Sequence, residues 1–131
     1  MLLFMSGVLI LETDINQIQG FKKALPGVTL RVVSLAKDAI KEMTNGHWDF
    51  IFLNSCKNDG AFVSAWAAEH AEKFKGTTFF VHTLSTPTAK RMHGILYRMK
   101  LHVHCKCLPW QDIALMRHVL EHLKKTSPGS I

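Results

Sequence analysis

The chain has 131 residues, 47% hydrophobic and 20% charged, which suits one globular domain with a proper core and excludes a disordered or fibrous chain. Lys and Arg outnumber Asp and Glu by 16 to 10, a formal net charge of +6 that leaves an acidic partner, protein or nucleic acid, open. Three cysteines (Cys56, Cys105 and Cys107) are an odd count, which argues against a disulfide framework and for a reducing, cytoplasmic setting.

The stretch 1–11 is apolar but lacks a basic leader and a small-residue cleavage site. It is too short to span a bilayer and runs into Glu12-Thr13-Asp14. We expect a buried first strand over Gly7 to Glu12 and no membrane association. Asp14 is placed to cap a helix over Ile15 to Leu25 with Ile15, Ile18, Phe21 and Leu25 inward, and Pro26-Gly27 stops it. Val28 to Val33 reads as strand two. Ser34 is the expected cap of a second helix striped by Leu35, Ala36, Ala39, Ile40 and Met43, closed by Asn45-Gly46.

Trp48 to Leu53 is a short aromatic and β-branched run without polar alternation, the pattern of a strand covered on both faces. A third helix should follow the loop Asn54 to Gly60, burying Val63, Trp66, Ala67 and Phe74. Thr77 to His82 reads as strand four. A hydroxyl-rich loop then leads to Pro87 in the first turn of helix four, whose inner residues are Met92, Ile95, Leu96 and Met99. Leu101 to Cys107 reads as strand five. After Pro109 a last helix is expected over Trp110 to Lys124, with Ile113, Met116, Leu120 and Leu123 inward. This alternation predicts a single α/β domain over 1–125 with a flavodoxin-like parallel sheet in order 2-1-3-4-5, and a short tail over 126–131.

In such sheets ligands bind beyond the carboxyl ends of the strands. The residue at that point on strand three is Asn54, an amide where a phosphoryl acceptor or a metal site would use a carboxylate. The order of elements, with Val8 to Asp14, Asp49 to Asn54, Phe79 to Thr83 and Leu108-Pro109-Trp110, resembles a response-regulator receiver domain. Trp48-Asp49, His82-Thr83 and Arg91-Met92 make it most similar to the cyclic-phosphate-processing receiver-like group. The resemblance implies an acidic pair after strand one, an aspartate after strand three, a hydroxyl after strand four and a lysine before the proline after strand five. Those positions fall here on Glu12 and Thr13 (with Asp14 next), Asn54, Thr83 and Leu108. The cyclic-phosphate group would add a His and an Asp where this chain has Ser55 and Cys56. Three lost groups imply a degenerate pocket that does not accept a phosphoryl group.

Other constellations are weaker. His102, His104, Cys105 and Cys107 alternate on a strand, so the imidazoles and thiols face opposite ways and do not surround one zinc ion. His118 and His122 share a helix face without a third ligand. Cys56 and His82 form a conceivable nucleophilic pair, outweighed by a small residue filling space. No glycine-rich phosphate loop occurs. The remaining candidate ligand loop is His82, Thr83 and Ser85 with Arg91 on the next helix, where hydroxyls, a helix start and a cation could hold a phosphate. We expect no metal and no cofactor.

The resulting expectation is a non-enzymatic pseudo-receiver that binds a protein with an acidic surface, or itself, through helix four, strand five and helix five. That face carries Lys90, Arg91, Arg98, Lys100, Lys106 and Arg117. The alternatives are a protein that binds or processes phosphate-bearing or cyclic-nucleotide ligands through Glu12, Asp14, His82, Thr83 and Arg91, and a basic nucleic-acid-binding protein. Few aromatic residues interleave with the cations, which counts against single-strand stacking.

Overall fold

The apolar runs become four-residue strands because each is flanked at once by turn or cap residues. The computed structural model describes residues 7–126. The strands are Val8–Leu11 (β1), Leu30–Val33 (β2), Phe50–Leu53 (β3), Thr78–Val81 (β4) and His102–Cys105 (β5). The helices are Ile15–Ala24 (α1), Ala36–Asn45 (α2), Asp59–Glu69 (α3), Thr86–Arg98 (α4) and Ile113–Thr126 (α5), with short 3-10 turns at Ala71–Phe74 and Pro109–Gln111. All pairings are parallel and the order is β2-β1-β3-β4-β5, as the alternation of elements predicts. Of the expected tail over 126–131, Thr126 ends α5 and the rest lies outside the described residues, as do residues 1–6.

Side chains alternate across each strand, so the sheet feeds two cores. Leu9, Leu11, Ile51, Leu53, Phe79, Val81 and Val103 pack under Ala39 and Met43 of α2, Val63 and Ala67 of α3, and Met92 and Leu96 of α4. Val8, Ile10, Phe50, Phe52 and Phe80 pack under Phe21 of α1 and Met116, Val119 and Leu123 of α5. Phe52 and Phe80 stack on this second face at 4.8 Å. β1, β3 and β4 are central, and their inward side chains are buried on both faces.

Several local expectations are corrected. Ile15 is 62% exposed, because the face of α1 that meets the sheet carries Gln17, Gly20 and Phe21 instead. The Trp110 ring lies where a Cβ on Gly20 would be, and its Nε1–H donates to Gln17 Oε1 at 2.5 Å. Ser34 does not cap α2. Leu35 holds that position, is exposed, and the Ala36 N–H is satisfied by Asp59 Oδ2 of α3 at 2.7 Å. Met99 ends α4 as an exposed C-cap. Helix five starts later than expected because Asp112 accepts from Leu115 N–H at 3.0 Å and fixes the start at Ile113. Ile113 is therefore 75% exposed, and Val119 faces the core with Met116.

Candidate functional site

The registers continue one residue beyond the strands. Glu12 N–H donates to Val33 O, Asn54 N–H to Leu11 O, His82 N–H to Leu53 O and Lys106 N–H to Val81 O, all at 3.0–3.1 Å. Glu12, Asn54, His82 and Lys106 thus form one row across the carboxyl end of the sheet. By the two-residue period they share the face of Ile10, Phe52 and Phe80.

Glu12 is the centre of the row and is buried. Its Oε1 accepts from His82 Nε2 at 2.8 Å, and Asn54 Nδ2 lies 2.9 Å from both of its oxygens. Its Oε2 also accepts from the backbone N–H of Thr13 and Asp14, each at 3.0 Å. Burial by itself would raise the Glu12 pKa, but the bonds from His82, the Asp14 N–H and Asn54 together hold it below its ordinary value. His82 presents its ring edge-on to Phe21 and Phe52, and its buried Nδ1 has no hydrogen-bond partner among the described residues. The acid is therefore enclosed by donors on one side and aromatic rings behind.

The loop after β3 closes over this row. Asn54 Oδ1 accepts from Ser55 N–H at 2.6 Å, so the amide is fixed at both ends. Thr83 Oγ1 donates to Ser55 Oγ at 3.3 Å and accepts from Ser85 N–H at 3.2 Å. The chain turns through positive φ at Cys56 and Lys57, and Gly60 then packs where any Cβ would strike the Asn54 carbonyl. Burial, followed by the charge of Glu12, pushes the Cys56 thiol up to about 11, so it stays protonated at neutral pH. His82 Nε2 is bonded to Glu12, and no hydrogen bond joins His82 to the Cys56 thiol among the described residues.

The other sequence candidates are dispersed. Asp14 is spent on its helix, accepting from Asn16 N–H at 2.8 Å. Ser85 Oγ donates to Thr88 Oγ1 at 3.0 Å, and Arg91 is exposed on α4, whereas His82 and Thr83 are buried. Leu108 is half-buried ahead of the Pro109 turn. The lysine in the row is Lys106, two residues earlier, whose Nζ pairs with Asp112 Oδ2 at 2.7 Å. Its hydrogen bond draws the Asp112 pKa down. Lys90, Arg91, Arg98, Lys100 and Arg117 are exposed around α4, β5 and α5. His102, His104 and Cys105 are exposed along β5. Among the described residues no group of three or more His, Cys, Asp or Glu converges to hold a metal ion.

Sequence reasoning missed the pairing of Glu12 with His82; the signal was that both directly follow strands that become neighbours of β3. It also missed buried Asp49 at the opposite end of β3. There His47 Nε2 lies 3.2 Å from Asp49 Oδ1 and His122 Nε2 lies 3.7 Å from Oδ2.

No family model and no curated protein matches the sequence. Among solved structures, the chain is similar to a CheY-like response regulator receiver domain protein from Methanospirillum hungatei JF-1, with a TM-score of 0.66 at 12% identity over 93% of this chain and 98% of that one. It is also similar to the signal receiver domain of an HD domain-containing protein from Pseudomonas fluorescens Pf-5, with a TM-score of 0.64 at 16% identity over 92% and 98% of the two chains. The chain has the response-regulator receiver fold. At such identities the likeness is one of fold, so any function of the row at the carboxyl end of this receiver fold is argued from its own residues. No described helix is long and apolar enough to cross a membrane.

Proposed function

We propose that the chain is a receiver-like regulatory module with a non-phosphorylatable pocket, and that it acts by binding an acidic protein surface through α4, β5 and α5. The observation that carries this is the closure of Glu12 by His82, Asn54 and two backbone N–H groups. Magnesium demands a near-octahedral set of oxygen ligands. Both Glu12 oxygens are engaged, Asn54 turns its Nδ2 toward them, and Asp14 caps α1. These residues do not fit the ion. An amide at position 54 is also no acceptor for a phosphoryl group.

The same closure weighs against a cyclic-phosphate enzyme, since Glu12 and His82 are bonded to each other with no exposed surface on either side chain, whereas Arg91 is exposed on α4. What stays accessible is the cationic face of Lys90, Arg91, Arg98, Lys100 and Arg117. A second copy carries the same net charge of +6, so charge favours an acidic partner over self-association.

The test is charge reversal with the protein as bait in an extract of its host. Arg91→Glu with Arg98→Glu should abolish capture of the main partner, whereas Lys37→Glu with Lys41→Glu on α2 should not. Equal losses from both pairs, tracking ionic strength alone, would replace a specific face with diffuse electrostatics and favour nucleic acid.

A further inference from the structure

β5 closes the sheet and has no strand on its outer side among the described residues. Lys106 donates its N–H to Val81 of β4. Alternate residues of a parallel strand turn their backbone groups to opposite neighbours. His102, His104 and Lys106 therefore serve β4, while Val103 and Cys105 turn their N–H and C=O outward. Among the described residues neither Val103 nor Cys105 has a backbone partner beyond the sheet. Such an edge is a template for another strand unless something discourages it.

What discourages pairing here is charge. Arg98 at the end of α4, Lys100 before β5, Lys106 after it and Arg117 on α5 are exposed, and Asp112, ahead of α5, already holds Lys106 at 2.7 Å. These cations repel a second copy with its own +6, but attract an acidic strand. A groove of ≈ 630 Å³ lies beside the edge, lined by Phe80, His104, Leu115 and His118 among others. A strand added at β5 would send alternate side chains into that groove and the others toward α4.

We propose that the outer edge of β5 receives an extended acidic segment of a partner protein as a sixth strand, with every second side chain apolar and seated in the groove between β5 and α5. This rests on the protein-binding function above and narrows it to backbone pairing at one edge.

The probe is a synthetic peptide of alternating Glu and Val, titrated into the full chain. Cys105→Pro deletes the outward N–H while keeping every charge and the ladder to β4, and proline is accepted on edge strands. Peptide affinity should fall about tenfold or more, the worth of a backbone hydrogen bond, while Cys105→Ser binds as the unsubstituted chain does. In the unsubstituted chain the amide protons of Val103 and Cys105 should exchange more slowly once peptide is bound, a readout that does not require the proline variant to fold. Binding that is lost with Arg98→Glu but leaves those two amides unprotected would overturn strand addition and leave the charged face standing. Failure of the peptide to bind the unsubstituted chain, or a dimer formed through the same edge, would overturn the acidic occupant. Loss of partner specificity in the charge-reversal experiment would instead remove the underlying function.

Discussion

Glu12 and His82 are 70 residues apart in the chain and 2.8 Å apart in the fold, with no exposed surface on either side chain. The contact crosses β3, whose Asn54 donates to the same carboxylate. A carboxylate this deep is tolerable only when its lone pairs are filled. Here the filling donors come from β1, β3 and β4 at once. The row thus ties three strands together.

His82→Ala should therefore be costly. Removing one partner of a buried pair typically costs about 3–5 kcal/mol, and the remaining donors from Asn54, Thr13 and Asp14 place this case near the lower figure, about 3 kcal/mol. The exposed His104→Ala should change stability by no more than about 0.5 kcal/mol. Urea unfolding of the two variants checks the contrast, and equal losses would show that the pair contributes nothing particular.

The pH dependence has a definite sign. The folded Glu12 pKa lies below its ordinary value of 4.5. The folded state thus binds the proton more weakly than the unfolded one. The stabilisation is complete above the ordinary value and disappears as pH falls through the lower, folded value. Unfolding free energy should drop on acidification below pH 4.5, and the drop should be shallower in Glu12→Gln. A steeper acid limb in that variant would reverse the assignment.

Two glycines should respond oppositely to alanine. A Cβ on Gly60 would strike the Asn54 carbonyl and sit 2.8 Å from Met92 Cε, and backbone cannot move aside cheaply. Gly60→Ala should cost about 1–3 kcal/mol. A Cβ on Gly94 in α4 meets nothing within 4 Å, so Gly94→Ala should gain up to about 1 kcal/mol from helix propensity. Thermal melts of both variants test the pair of signs.

The sheet order is legible in the chain because β1, β3 and β4 are uninterrupted apolar runs and the intervening helices carry clear stripes. Helix ends are less so. Ser34 has the chemistry of a cap, but the donor at Ala36 is satisfied by Asp59, a residue 23 positions away that no local pattern indicates. The expected inward positions at Ile15 and Ile113 fail because the faces turned to the sheet carry Gln17, Gly20 and Phe21 in α1 and Met116 and Val119 in α5. In the pocket, Asn54 is readable as an amide at a strand end. The role of His82 is not, since its significance depends on register between strands rather than on spacing in the chain. Pro109 draws attention to Leu108, whereas the backbone ladder ends on Lys106.

A pocket closed to phosphoryl chemistry is the proposal on which the function of this receiver fold rests. Intact mass after incubation with acetyl phosphate and magnesium tests it most directly. A closed pocket predicts an unchanged mass. A stoichiometric gain of one phosphoryl group, lost when Asn54 or a neighbour in its row is substituted, would contradict it.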